Sequence, residues 1–122
     1  MSLHIERQGD VAIVVPKGPL DGSKLTIELE TDMRKLIYDD QKRIILDLGK
    51  VSRISSIGIG TLASLHASAT NRHVMMHVCE ISKRNKDVLA IVWLLRVLNV
   101  YETRKEAMAA FEEKATASGS LA

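Results

Sequence analysis

The stretch Arg43-Ile44-Ile45-Leu46-Asp47-Leu48 decides the fold, because four of its six residues are large aliphatic side chains in one run of strand length. Such a run is typical of a strand that is buried on both faces of a sheet. Residues 49–56 are expected to form a loop. The apolar spacing that follows predicts a helix from about Gly58, with inward residues Ile59, Leu62, Leu65, His66 and Ala69.

Towards the N-terminus, two short segments predict a β-hairpin. Residues 3–7 alternate in polarity and residues 11–15 form an apolar run, with the turn Gln8-Gly9-Asp10 between them. Residues 16–22 contain both prolines of the chain and two glycines, which predicts a loop. Ser23 is expected to cap a helix that closes at Asp39-Asp40 and whose core-facing stripe is Leu25, Leu29, Met33, Leu36 and Ile37.

Towards the C-terminus, strands and helices alternate. Residues 74–79 predict a strand, residues 85–98 a helix, and residues 104–114 a last helix that buries Ala107, Met108 and Phe111. The expected fold class is α/β, a single domain over residues 1–114 with a mostly parallel, mixed sheet of about four to five strands and four helices. Residues 115–122 are small and polar, which predicts a flexible C-terminal tail.

Length and composition exclude several classes of protein. Of 122 residues, 46% are apolar and 26% are charged, so the chain can bury a core and is not disordered as a whole. The net charge is only +2 and aromatic residues make up 3%, which gives neither a strong basic surface nor a platform for base stacking. No direct nucleic-acid partner is therefore expected.

Targeting signals and disulfide chemistry are not expected either. Residues 1–6 lack the basic and then apolar pattern of a signal peptide. The longest nearly uncharged run, residues 88–95, is far too short to cross a bilayer. The single cysteine, Cys79, ends an apolar strand pattern and can form no internal disulfide. We expect a cytoplasmic protein with no membrane insertion.

Motifs for common enzyme chemistry are absent from the sequence. It contains neither a phosphate-binding glycine loop followed by Lys and Ser/Thr nor a Gly-x-Ser-x-Gly elbow. The histidines form no pair at metal-binding helical spacing. Asp47 is a single carboxylate near the end of the central strand, best explained by pairing with the neighbouring loop. The expectation is no enzyme activity, no cofactor and no metal.

Two serines precede the predicted second helix. A helix N-terminus presents unpaired N–H groups and a partial positive charge, so a phosphate on Ser55 or Ser56 would be partly stabilised there. Gly58 and Gly60 would leave the first turn open to a partner's active site. The alternative is that Ser55 or Ser56 only caps the helix, which is a common use of serine. Spacing alone leaves both interpretations open.

The same residues resemble the signature of the STAS domain (sulfate transporter and anti-sigma factor antagonist). That family has an aliphatic-Asp-Leu strand, then Val, a variable pair with an apolar end, and Asp-Ser-Ser-Gly-Leu-Gly. Here Leu46-Asp47-Leu48 and residues 51–60, Val-Ser-Arg-Ile-Ser-Ser-Ile-Gly-Ile-Gly, follow the pattern. Gly18-Pro19-Leu20-Asp21 is similar to the family's Gly-x-Leu-Asp element, and residues 100–107 resemble its closing strand and the start of its last helix.

This resemblance implies an anti-sigma factor antagonist that switches partners. In such proteins the serine after the motif's Asp is phosphorylated by a serine-protein kinase that is also the anti-sigma factor, and a serine phosphatase reverses the reaction. Carried over by position, the acceptor is Ser56, with Ser55 as the alternative. Ser55 stands where the family has Asp, and Ile57 stands where it has a second Ser.

The surface expected to bind the partner surrounds that serine. Asp21 comes from the loop before the first helix and, as the resemblance implies, would lie near Ser56, although it could equally be a turn residue. A phosphate would place about two negative charges in this surface, which opposes burial against a partner. The expected partner-binding residues are Asp21, Ser55, Ser56, Ile57, Gly58 and Ile59.

A second apolar surface is predicted on the third helix. If Val88, Ile91, Val92 and Leu95 form its core stripe, then Leu89, Trp93 or Leu94 lies nearer the surface and can mark an interface, unless another element covers it. Weak homodimerisation is left open.

Two other functions are consistent with the sequence. The first is a STAS scaffold subunit of a transporter or stress-signalling complex that is never phosphorylated, which the missing Asp at position 55 favours. The second is a small-ligand or nucleotide-binding α/β domain, against which the lack of an acid–base or nucleophile set counts.

Overall fold

A computed structural model describes the backbone of residues 2–91 and 94–121 and the side chains of residues 2–90, 94 and 96–112. The chain begins with a hairpin of two strands, β1 (Ser2–Gln8) and β2 (Val11–Leu20). Strands and helices then follow in this order: α1 (Lys24–Tyr38), β3 (Arg43–Asp47), β4 (Val51–Ile54), α2 (Ser56–Asn71), β5 (Met75–Cys79), α3 (Lys83–Ile91), α4 (Leu94–Val97), β6 (Asn99–Tyr101) and α5 (Arg104–Leu121).

The six strands form one mixed sheet with the order β1-β2-β3-β5-β6, and β4 pairs with the end of β2. Only β1 is antiparallel to its neighbour, whereas the pairings of β2 with β3, β3 with β5 and β5 with β6 are parallel. The α/β class and the mostly parallel sheet are therefore confirmed. The expected four to five strands become six, because β4 lies in a segment that the sequence indicated was a loop.

Alternate residues of the central strands supply two apolar layers. Ile44 and Leu46 of β3 pack with the buried stripe of α1 and with α2, whereas Ile45 faces the other side, against Ala107 and Phe111 of α5. This alternation is what a strand covered on both faces requires. The expected α1 stripe is confirmed: Leu25, Leu29, Met33 and Ile37 are buried and Leu36 is half-buried.

Several predicted boundaries and side-chain positions were wrong. Strand β2 continues through residues 16–20, where Gly18 and Leu20 pair with Val51 and Ile54 of β4 and the register shifts between them. Helix α2 begins two residues earlier than expected, at Ser56. The predicted third helix is described as α3 and α4; Leu89 and Leu94, expected nearer the surface, are buried, and Trp93 lies outside the described residues.

The last helix is longer than predicted: α5 extends to Leu121, whereas its predicted end was Lys114. The expected domain limit at 114 and the tail over residues 115–122 stay predictions, because side chains from 113 onward lie outside the described part of the chain.

Buried polar groups on the α5 side of the sheet are accounted for by specific partners. His77 is fully buried, stacks on Phe111 at a centroid distance of 3.8 Å, and its Nδ1 lies 2.9 Å from the Ala107 carbonyl oxygen. Burial, with a smaller effect of Asp47 and Glu80, raises the pKa of Cys79 to about 12, so its thiol is protonated and inert. On the α5 side of the sheet, His77 and Cys79 therefore contribute to packing and stability.

One arginine ties α5 to the sheet. The Arg104 guanidinium donates to the buried Asp47 carboxylate through Nε at 3.0 Å and Nη2 at 2.9 Å, and it also binds Glu6 of β1. The hydrogen bond from Arg104, together with its charge, holds the pKa of Glu6 below its usual range. The second Asp47 oxygen accepts from the Gly49 N–H at 2.9 Å. Asp47 is thus a structural residue, as its pairing with the loop predicted.

Replacing this arginine should destabilise the fold. We expect Arg104→Met to lower the free energy of unfolding by about 2–4 kcal/mol, because it leaves the Asp47 carboxylate buried without its countercharge. Arg53→Met, which removes the 60% exposed arginine that pairs with Asp21, should cost clearly less, because a surface ion pair is screened by solvent. Urea unfolding of both variants measures the difference, and equal losses would contradict the assigned role of Arg104.

Candidate functional site

The site is assembled where the end of β2 meets the N-terminus of α2. The backbone N–H of Ser55 donates to the Leu20 carbonyl oxygen at 3.0 Å, which ties the residue before α2 to the last residue of β2. The strand pairing of Leu20 with Ile54 continues the same contact along β4. These bonds bring the loop that carries Asp21 next to the first turn of α2.

Gly58 allows this close approach. A Cβ at position 58 would lie 2.2 Å from the Leu20 carbonyl oxygen, which is too close for any side chain, and 3.0 Å from Ile54 Cγ2. A Cβ built at Gly60, two residues further along α2, would have no neighbour within 4 Å. Gly58 is therefore buried because it forms the helix–strand contact, and it does not contribute a surface for a partner.

The two serines of the motif have different environments. Ser55 occupies the N-cap position but forms no side-chain cap; its hydroxyl is half-buried and donates to the Leu20 carbonyl oxygen at 3.4 Å. Ser56 is the first residue of α2 and is exposed, and its hydroxyl has no hydrogen-bond partner among the described residues. The structure therefore does not support the interpretation in which either serine side chain caps the helix.

Asp21 is held in place by two neighbours. Its carboxylate accepts from the Ser23 hydroxyl at 2.5 Å and from the Ser23 N–H at 3.1 Å, while Arg53 Nη2 donates to its other oxygen at 3.0 Å. The hydrogen bonds from Ser23, more than the charge of Arg53, hold the pKa of Asp21 below its usual range. Ser23 lies at the N-cap of α1, as predicted, but it donates to Asp21 and makes no side-chain cap.

Isoleucine side chains give the site an apolar surface. Ile57 on the first turn of α2 is 59% exposed, and a Cβ at Gly22 would lie 3.0 Å from its Cδ1. Ile59 is half-buried against the core. Ile57 therefore joins the Asp21 loop to the serines in one surface, which brings most of the predicted partner-binding residues together.

Sequence reasoning missed two residues of this region, Ile27 and Arg53. Ile27 is 61% exposed on the first turn of α1, the turn that follows the Asp21 loop, and hydrogen bonds from Arg34 to Ser64 and Ser68, at 2.7 and 2.9 Å, link α1 to α2 further along both helices. The position of Ile27 outside the buried α1 stripe was the available signal. Nothing in the sequence spacing indicated that Arg53 would pair with Asp21.

Charge at the start of α2 suits an added anion. The first turn of α2 contains no acidic residue, so the partial positive charge of its N–H groups is not offset within the helix. A phosphoryl group on Ser56 would lie in this field. The described residues contain no cluster of three or more His, Cys, Asp or Glu side chains that could hold a metal ion.

Comparison with known proteins identifies the class. The STAS domain profile matches residues 2–107, and the chain belongs to this family. Among related sequences, BtrV of Bordetella bronchiseptica, which carries the name of an anti-sigma factor antagonist, is 23% identical over 112 residues, covering 92% of this chain and 96% of BtrV. No described helix is long and apolar enough to span a membrane.

Solved structures share the fold at low sequence identity. A Thermotoga maritima protein, also named as an anti-sigma factor antagonist, superposes with a TM-score of 0.81 at 20% identity, over 88% of this chain and 92% of its own. The antagonist SpoIIAA in its unphosphorylated form gives 0.71 at 14% identity, over 91% and 98%. The STAS domain of a Vibrio cholerae SulP transporter gives 0.73 at 21% identity, over 92% and 88%.

The two glycines of α2 should respond in opposite directions to alanine. Gly58→Ala places a methyl group against the Leu20 carbonyl, so we expect a loss of about 2–4 kcal/mol of stability or failure to fold. Gly60→Ala fills open space in a helix and should stabilise by about 0.5–1 kcal/mol. Thermal and urea unfolding report both, and tolerance of Gly58→Ala would refute the close helix–strand contact.

Proposed function

We propose that this chain is an anti-sigma factor antagonist-like regulator that binds a serine-protein kinase acting as the anti-sigma factor. Phosphorylation of Ser56 switches the binding off, and a serine phosphatase restores it. The observation that carries the proposal is the exposed Ser56 hydroxyl at the N-terminus of α2, beside the exposed Ile57 and the ordered Asp21 loop. The chain acts as a binding protein in the cytoplasm, and the kinase supplies the chemistry.

Access to the hydroxyl favours Ser56 over Ser55 as the acceptor. A kinase must align the attacking oxygen with the γ-phosphate of its nucleotide, which requires a hydroxyl that is free and at the surface. Ser56 meets this requirement, whereas the Ser55 hydroxyl is half-buried and points to the Leu20 carbonyl. Ser55 could serve only if that contact with β2 opened.

The same site explains how a phosphate would change partner choice. The phosphate adds about −1.5 to −2 charges, which the N-terminus of α2 partly stabilises in the free protein. At an interface those charges would have to be buried near the carboxylate of Asp21, whose position is fixed by Ser23. The modification is therefore tolerated in the free chain and disfavoured in the complex.

Ile57 supports a partner surface with an apolar centre. A side chain that is 59% exposed next to a glycine loop can be covered by a partner without any rearrangement of the fold. Ile57 stands where the family has a second Ser, so this chain has an apolar side chain in place of a hydroxyl at that position. The preferred partner should accordingly have an apolar patch opposite Ile57, flanked by charge complementary to Asp21 and Arg53.

A second candidate is a STAS scaffold that is never phosphorylated. Two observations favour it: Ser55 replaces the acidic residue of the motif, and a SulP transporter STAS domain shares the fold. In that role the α2 surface would bind a partner of the complex constitutively. The phosphorylation state in the cell separates the two candidates.

Phosphorylation in the native organism is the first test of the proposed function. We expect intact-mass spectrometry of the protein from its own cells to show one added phosphate, which disappears in Ser56→Ala and persists in Ser55→Ala. Loss only in Ser55→Ala would move the acceptor by one residue. No phosphate in growing or stressed cells would reject the switch and leave the scaffold.

Partner binding is a separate test of the proposed function. With the purified anti-sigma factor kinases of the same organism, Ser56→Ala should bind as the unmodified chain does, whereas Ser56→Glu and Ile57→Asp should each bind about 10-fold to 100-fold more weakly in calorimetric titration. Val97→Asp, at a residue that is 53% exposed on α4, is the matched control and should leave binding unchanged. Equal binding by all four variants would place the interface elsewhere.

A further inference from the structure

The outer edge of β1 is a long strand edge that has no neighbour among the described residues. β1 is 7 residues long and pairs only with β2, whereas the strand at the opposite end of the sheet, β6, has 3 residues. An unpaired edge of this length presents a row of N–H and C=O groups that can pair with another strand. Ile5, in the middle of β1, is 37% exposed.

We propose that this edge binds a second copy of the chain, β1 against β1, so that two sheets continue into one. The occupant is identified by the self-complementarity of the β1 sequence, Ser2-Leu3-His4-Ile5-Glu6-Arg7-Gln8. The surface shares no residue with the α2 site, and the dimer does not depend on phosphorylation.

Symmetry restricts the register of such a dimer. Two antiparallel copies of one strand are related by a two-fold axis perpendicular to the sheet. Side chains that lie opposite each other must be on the same face of the sheet, so the axis lies midway between one residue and the same residue of the second copy. An axis at Glu6 would place two carboxylates opposite each other, and an axis at His4 would do the same with two imidazoles. An axis at Ile5 pairs the exposed apolar side chains instead.

The Ile5 register also pairs complementary polar side chains on the α5 side of the sheet. It places His4 of each copy opposite Glu6 of the other, twice per dimer. Within one chain the Glu6 carboxylate uses one oxygen for Arg104, and its other oxygen lies 3.6 Å from the His4 Nε2. Glu6 is therefore already oriented to the side of the sheet on which the second copy's His4 would lie, where an imidazole N–H can donate to the carboxylate directly across the antiparallel pair.

The other side of β1 has open space for the second copy. Two cavities follow the groove between β1 and α1: one of about 460 Å³ is lined by residues that include Leu3 and Glu28, and one of about 300 Å³ by residues that include Arg7 and Lys35. The Ile5 register puts Leu3 of one copy opposite Arg7 of the other. In the dimer, the cavity lined by Glu28 of one copy would therefore lie beside the cavity lined by Lys35 of the other copy.

Cysteine cross-linking tests this register directly. In Ile5→Cys the paired Cα atoms would be about 4.5–5.5 Å apart, within disulfide reach, whereas in Arg7→Cys they would be about 14 Å apart. We expect Ile5→Cys to become a disulfide-linked dimer under mild oxidation, and Arg7→Cys to stay mainly monomeric. The native Cys79 is buried and does not compete. Equal cross-linking of the two variants, or none in Ile5→Cys, overturns the proposal.

A charge reversal at one exposed position gives an independent measurement. His4→Lys should tighten dimerisation about 5-fold and His4→Glu should weaken it about 5-fold, because each change acts at two pairs with Glu6. Sedimentation equilibrium from about 10 μM to about 1 mM measures both, with Ile27→Lys as a control that leaves the β1 edge intact. A chain that is monomeric throughout this range, or that is affected only by Ile27→Lys, contradicts the β1 dimer.

Discussion

The contact between Gly58 of α2 and the carbonyl of Leu20 is the constraint on which the site depends. It lets the helix start against the end of a strand, with the Ser55 N–H bonded to the same carbonyl at 3.0 Å. A side chain at position 58 would push α2 away from β2 and separate Ser56 from the Asp21 loop. The glycine is thus required for packing, and the exposed serine is a consequence of that packing.

Under the proposed function, the charges around this contact would give one added phosphate opposite effects in the free chain and in a complex. The start of α2 carries no acidic side chain and can stabilise a phosphate in the free chain. Asp21 is immobilised by Ser23 and paired with Arg53, so its charge cannot move away when a partner approaches. A group that is stable in isolation and unfavourable at an interface is what a partner switch requires.

The rest of the molecule provides a rigid support with two separate surfaces. Arg104 joins α5 to Asp47 of β3 and to Glu6 of β1, so the α5 side of the sheet is fixed from its centre to its edge. The α2 surface and the β1 edge have no residue in common. A dimer through β1 would therefore present two α2 surfaces at once, and each could bind a partner independently.

The sequence by itself determined the order of most elements, the buried stripe of α1 and the position of Ser56, because these depend on local periodicity and on a contiguous motif. It could not show that residues 51–54 pair with β2 as a strand, that Asp21 pairs with Arg53, or that Gly58 is needed for packing. It also gave Leu89, Trp93 or Leu94 as nearer the surface, whereas Leu89 of α3 and Leu94 of α4 are both buried. Tertiary structure decided these features, since each depends on contacts between residues far apart in the chain, whose distances no local pattern encodes.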